Sequence, residues 1–305
     1  MTLSDTTLRA ALKAWHLPEP LDVRRIPSGL TSDTWYVEAA EKRFVAKYAY
    51  QSRESFEDGL RAASLGEQHG ISSGAPVRTR DGKLTIMVEG QHGHSQPLAL
   101  LRFIPGEQLN PVEPGAATIY GQLLGRMHRI LLHEFVEPCS FDVYDYLLQE
   151  DAGVIKQPGL AQLIFHAVEV ARIYEARSQV TYGVIWGDKM EILREKKTGR
   201  VGVVDWGTIE SGPLLFDIAL NVLWFFHKES LGYDEFIRAY LAEAPISAHE
   251  LEGLTYYKAL LWARQAKYYA YRVAAHVTVG GLDANTNASR LATSRQELES
   301  LLATL

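Results

Sequence analysis

The chain has a single cysteine, Cys139, which leaves no partner for an internal disulfide and no multi-cysteine metal centre. A lone thiol of this kind ordinarily packs as a small, half-buried hydrophobe. Long apolar runs are also missing: the best stretch, 218–226, falls well short of the roughly 18 residues that a membrane helix needs. Positive charge is not in excess. A net charge of −6 gives nucleic acid no basic footprint and slightly favours cationic ligands at long range. Internal repeats and low-complexity tracts are absent, and no Gly-x-x-x-x-Gly-Lys-Ser/Thr string occurs, so there is no P-loop. Residues 3–15 read as an amphipathic helix with polar positions throughout, not as a basic-plus-apolar leader. A cytoplasmic protein with neither membrane nor nucleic acid as partner is expected.

What is present is enough apolar sequence, in 305 residues, for one large or two ordinary domains. Strands are predicted at 21–26, 34–38, 43–48, 84–88 and 98–103, with a helix over 53–68 that Gly70 ends. Ile104-Pro105-Gly106 breaks the pattern. Beyond it helices are predicted at 113–133, 158–176, 214–228, 233–243, 247–275 and 283–304. Strands first and helices after predict an α+β architecture: a small antiparallel β-sheet lobe over 1–105 and a larger, mostly helical lobe over 106–305.

Chemistry concentrates in residues 182–221. The apolar run 184–186 reads as a short buried strand that delivers Asp188 to a loop, and 192–195 and 201–204 read as a hairpin with Gly199 at the positive-φ turn position. Centring that hairpin on Thr198 sets Glu191 opposite Asp205. Directly opposed like charges sit about 4.5–5.5 Å apart at Cβ and repel, so a hard divalent cation is expected between them. Asp188 would then be a third carboxylate, available as a base. Glu195 and Glu210 read as strand-end acids facing water.

Gly187-Asp188, the hairpin, Val203-Val204-Asp205-Trp206, Gly212-Pro213 and Asp217 together resemble the phosphotransferase family of aminoglycoside kinases, choline kinases and homoserine kinase-like enzymes, small-molecule relatives of protein kinases. The family string is His-Gly-Asp, four residues, Asn, then a hairpin ending Ile-Asp-Trp. Here Trp186 replaces the His, and the loop is two residues shorter with Glu191 in place of the Asn. The resemblance implies a two-lobed protein-kinase-like fold over nearly the whole chain, with ATP and Mg2+ as cofactors.

It also implies roles. Asp188 would take or orient the proton of an acceptor hydroxyl, Asp205 would hold magnesium, and Glu191 would take the second-metal position. Lys47, ending Phe-Val-Ala-Lys, matches the phosphate-binding lysine. Its orienting acid would come from the next helix: Glu57 aligns best, with Glu54 and Asp58 as alternatives. Ser28, Gly29 and Thr31, in the 27–32 turn, would offer backbone N–H groups to phosphates. The backbone from Arg102 to Ile104 would bind the adenine edge, beside Leu101 and Phe103. Lys189 would either reach the transferred phosphate or remain solvated. Asp217 would brace the catalytic loop, and His128 reads as a packed core residue. The expected activity is ATP-dependent transfer of a phosphoryl group to a hydroxyl of a small, aminoglycoside-like or other amine-bearing acceptor. A non-catalytic nucleotide binder of the same fold and a nucleotidyl transferase are the rivals.

Overall fold

Side-chain alternation builds the first part of the molecule, a computed structural model that describes residues 3–19, 21–26, 32–90, 93–135, 142–149, 151–188, 190–207, 209–226, 230, 232–278 and 282–305. The expected phosphate-loop residues Ser28, Gly29 and Thr31, together with Cys139 and Lys189, lie outside the described residues. Helix α1 (Asp5–Leu12) starts at Ser4, whose hydroxyl accepts from the Thr7 N–H. Strands β1 (Leu21–Ile26), β2 (Ser32–Ala39) and β3 (Lys42–Ala49) follow, and β2 buries alternate residues along most of its length. Helix α2 (Arg53–Gln68) is capped by the Ser52 hydroxyl and ends before Gly70, which takes φ +76°. After it come β4 (Pro76–Val77), β5 (Ile86–Glu89), β6 (Ser95–Arg102) and β7 (Glu107–Gln108).

The remainder runs α3 (Ala116–Glu134), α4 (Val143–Leu148), α5 (Ala152–Ile155), α6 (Leu160–Arg177), β8 (Tyr182–Ile185), β9 (Glu191–Arg194), β10 (Val201–Val204) and β11 (Glu210–Pro213). It closes with α7 (Leu214–Trp224), α8 (Gly232–Leu241), a 3-10 turn at Ala248–Gly253, α9 (Leu254–Ala274) and α10 (Ala284–Leu302). These elements form two compact units. The first holds Met1–Asn110, Glu134–Val136 and Met190–Ile209; the second holds Pro111–His133, Glu137–Lys189 and Glu210–Leu305. The β9–β10 hairpin, though late in the chain, thus belongs to the first unit.

In the first unit an antiparallel sheet runs β1-β2-β3-β6-β4, with β5 also paired to β6. Leu8, Leu12 and Trp15 pack with Val37, Tyr48, Leu98 and Leu100 of this sheet, while Phe56 and Leu60 of α2 pack with Ala49 and Ala99. A second small sheet, β10-β9-β7, carries the hairpin. In the second unit α9 is the hub, against which α5, α6, α7 and α10 all pack. Alanines at 259, 263, 266 and 270 line its buried side and allow close approach. Gly153 of α5 comes so near that a Cβ on it would stand 2.5 Å from the Ala270 carbonyl carbon. Strands β8 and β11 pair antiparallel, with Ile185 opposite Glu210.

Candidate active site

Asp205 follows β10 in a left-handed conformation, φ +64°, that a non-glycine residue seldom adopts. The turn is held in place from three directions within the first unit. The Val203 N–H donates to the Ser72 carbonyl (2.7 Å), and Trp206 Nε1 donates to the Ser73 carbonyl (2.8 Å). Gln51 Nε2 donates to the Gly207 carbonyl. Helix α2 also lies against the turn: a Cβ on Gly59 would fall 1.7 Å from the Trp206 carbonyl oxygen, so this helix position admits only glycine.

The turn presents the Asp205 carboxylate, 45% exposed, to the Lys47 ammonium, only 11% exposed, and the two form an ion pair. Lys47 stands on β3 opposite Thr34 and Ala99, among buried neighbours, so its charge is directed to one partner instead of snorkelling to water. Gly207 lies beside that carboxylate and the Gln51 amide: a Cβ there would stand 3.5 Å from both Asp205 Oδ1 and Gln51 Oε1, an ordinary contact distance. The Asp205 carboxylate and the Gln51 amide oxygen are hard donors of the kind a divalent cation of the magnesium type takes.

The hairpin register departs from expectation. Glu191 pairs with Val204, Ile192 with Val203 and Leu193 with Gly202. Glu191 therefore does not face Asp205. The cause is the turn: the Glu195 N–H bonds the Arg200 carbonyl, and the Gly199 N–H bonds the Glu195 carbonyl. That makes a loop of four residues, an even number, where centring on Thr198 assumed an odd one; Gly199 does take the positive φ, +71°. Repulsion across the hairpin is thus no argument for a cation. The donor set at the Asp205 turn carries that argument instead.

One further expectation changes, and another narrows. Glu57 accepts from Arg53 Nε (2.9 Å) and from the Thr85 hydroxyl, and it does not pair with Lys47. Of the alternatives, Asp58 is buried and paired with Arg61. Strand β6 runs through Arg102, whose N–H is taken by the Ala75 carbonyl (3.1 Å), and the Phe103 N–H goes to the Arg43 carbonyl (3.4 Å). Arg102 therefore has no backbone donor left for an adenine edge, and its guanidinium reaches Glu67. Ile104 is buried, packed where a Cβ on Gly202 would meet its Cγ2 at 2.7 Å.

In the second unit β8 delivers the Trp186-Gly187-Asp188 loop, as its apolar run predicts, and Asp188 is exposed at the end of it. The loop is fixed through its main chain. Asp217, on α7 and 1% exposed, accepts from the N–H of Trp186 (2.5 Å) and of Gly187 (3.1 Å). The same carboxylate lies 3.1 Å from His128 Nε2, and His128 Nδ1 lies 2.9 Å from the Tyr240 hydroxyl. His128 is buried, as expected, but as a member of this polar chain. Burial holds the Tyr240 hydroxyl well above its ordinary titration range.

Sequence reasoning missed Arg264, on α9. It pairs with Glu210 (2.7 Å) and donates to the Gly187 carbonyl (2.6 Å). An arginine directly after Leu260-Leu261-Trp262-Ala263 was the available signal, since a charge beside an apolar helical stretch needs a partner. Glu210 does not face water as expected: it is 6% exposed, because β11 turns it inward against β8. Burial pushes its carboxyl up from 4.5 to about 7, with Arg264 opposing the shift and Asp217 and Asp188 adding to it.

A carboxyl whose folded pKa is raised binds protons more readily in the native state. Its stabilising contribution is fully present below pH 4.5 and is lost as pH rises towards about 7. Glu210→Gln removes this dependence, so melts at pH 5 and pH 8 should show the variant gaining on the parent by about 3 kcal/mol across that interval. An unchanged difference between the two curves would show that Glu210 is not the titrating group.

The family model described as the phosphotransferase enzyme family matches residues 22–253. The chain belongs to that family. A homoserine kinase of Methylobacillus flagellatus is 25% identical over 269 residues, 82% of this chain and 79% of that protein. Among solved structures, a microcompartment-associated aminopropanol kinase superposes with TM-score 0.75 at 16% identity, covering 99% of this chain and 98% of its own. An amicoumacin kinase in complex with AMP-PNP, Ca2+ and Ami superposes with TM-score 0.74 at 16% identity, covering 97% and 93%. At those identities the two structures establish the fold, which is protein-kinase-like, as the sequence resemblance implied. Membership of the family makes this phosphotransferase a small-molecule kinase. No helix among the described residues is long and apolar enough to cross a membrane.

Proposed function

We propose that this phosphotransferase moves the γ-phosphoryl group of ATP, as its magnesium complex, onto a hydroxyl of a small acceptor that also carries an amine. The observation that carries the reading is the ion pair between Lys47 and Asp205, residues 158 apart in sequence. A buried lysine paired with a half-exposed carboxylate is what a nucleotide polyphosphate and its cation require. Magnesium bound at Asp205 would neutralise phosphate charge during transfer. Lys47 would hold phosphate oxygens, and Glu191, paired with Val204 next to Asp205 and standing where the family has its Asn, would support the second-metal position. Asp188 would accept the acceptor's hydroxyl proton as its oxygen attacks phosphorus, with ADP leaving.

Trp in place of the family's His does not argue against turnover, because Asp217 braces the loop through the N–H groups of residues 186 and 187, which any side chain at 186 leaves in place. The preference for an amine-bearing acceptor is supported by the names of the similar proteins: homoserine and aminopropanol each combine a hydroxyl with an amine.

The test is the purified protein with ATP, magnesium and a panel of amino alcohols, hydroxy amino acids and aminoglycosides, read by mass spectrometry. ADP release stimulated by one acceptor, with a product heavier by one phosphate, is expected. Release of pyrophosphate or AMP would overturn the reading in favour of nucleotidyl transfer.

A further inference from the structure

Charged side chains from two helices hold three backbone polar groups of the Trp186–Gly187 segment. Asp217 takes the two N–H groups, and Arg264 takes the Gly187 carbonyl. The carbonyl matters most, because it belongs to the peptide plane that enters Asp188. Rotating that plane swings the Asp188 Cα–Cβ bond, and Gly187, at φ +69°, has no side chain to resist the rotation.

Arg264 is itself immobilised. Its second terminal nitrogen lies 2.7 Å from Glu210 Oε1, and Nη1 lies 3.3 Å from Glu210 Oε2, a two-pronged pairing. Its guanidinium carbon stands 5.7 Å from the ring centres of both Tyr146 and Phe216. Glu210 opposes Ile185, the residue before Trp186, across the β8–β11 ladder. A buried pair of this kind is weak evidence for stability, since desolvation offsets much of the Coulomb gain. Its placement on the loop points to a different use.

We infer that Glu210 and Arg264 are positioning residues for phosphoryl transfer: Glu210 orients the Arg264 guanidinium, which pins the Gly187 carbonyl and thereby aims the Asp188 carboxylate at the acceptor hydroxyl. The inference rests on the kinase reading above and on Asp188 acting as the base. It adds no chemical step, because neither residue touches the substrate. Its consequence is confined to alignment, which sets kcat and leaves nucleotide binding alone.

Steady-state kinetics on the full-length enzyme and on Arg264→Ala, corrected for the folded fraction, test it. Loss of alignment is expected to lower kcat about 30-fold while the KM for ATP stays within about twofold. Guanidinium chloride at low millimolar concentration should restore part of kcat in Arg264→Ala and leave the parent unchanged, because the free ion can occupy the vacated position between Glu210 and the Gly187 carbonyl. If Arg264→Ala does not fold, Arg264→Lys carries the test. An ammonium keeps the ion pair to Glu210 but lacks the fork that spans both acceptors, so kcat should fall severalfold with the fold intact. A parent that transfers phosphate and a variant with parental kcat per folded molecule overturn the positioning role alone. A parent that transfers no phosphate to any acceptor overturns the kinase reading, and the positioning role with it.

Discussion

Replacing Asp188 with alanine is expected to lower kcat by about a thousandfold and to leave the KM for ATP within roughly twofold. The expected size follows from what the carboxylate does. A positioned base contributes about 10²–10⁴-fold to proton transfer, and phosphoryl transfer depends on the nucleophile lying in line. The expected selectivity follows from where the residue sits. Asp188 is exposed, and its loop is fixed through the backbone of residues 186 and 187, so truncating the side chain leaves the bracing hydrogen bonds in place. Rate assays with saturating acceptor, together with a thermal melt showing a folded protein, check this. Residual kcat within about tenfold of the parent would remove Asp188 from the role of base.

Much of this was legible in the sequence, for identifiable reasons. Alternation and turn residues located β1, β2 and β3, and the Ser52 cap with the Gly70 stop fixed α2 to the residue. Val-Ala-Lys and Val-Asp-Trp marked Lys47 and Asp205 by motif, and the structure pairs them. What alternation cannot carry is conformation that leaves the strand. Asp205 sits at positive φ, so counting residues along β10 says nothing about where its carboxylate points. Register was lost to turn length, which a Lys-Lys-Thr-Gly string leaves undetermined between three, four and five residues.

The Glu210–Arg264 pair was invisible for another reason. Its members lie 54 residues apart, and Glu210 looked like a solvated strand end until β11 was found paired with β8. Strand β11 has four residues and contains Gly212 and Pro213, a composition that argues against a strand when read alone. Glu57 shows another limit: alignment picked it as the acid for Lys47, but Arg53 one turn earlier and Thr85 occupy its carboxylate.

Removing Asp217 should be the costliest single change to stability. Asp217→Ala is expected to destabilise the fold by about 3–5 kcal/mol, a large share of the roughly 5–15 kcal/mol by which a domain is stable. Read as the first turn of α7, the residue would be a simple dipole partner worth less than about 1 kcal/mol. The structure gives it a different task. The α7 N-terminus receives no side-chain cap; the carboxylate instead reaches back to β8, where it satisfies two buried N–H groups and approaches the His128–Tyr240 pair. Truncation leaves those donors without an acceptor in a site closed to water, at about 1–3 kcal/mol for each unsatisfied group. Asn is no remedy, because its amide offers one acceptor oxygen where two oxygens are in use. Urea titration of Asp217→Ala and Asp217→Asn should therefore place both midpoints far below the parent's, and kcat should fall with them because the loop carrying Asp188 loses its anchor. A stability within about 1 kcal/mol of the parent in Asp217→Ala would mean that water or a neighbouring group takes over those N–H donors, and Asp217 would then not be the anchor of the loop.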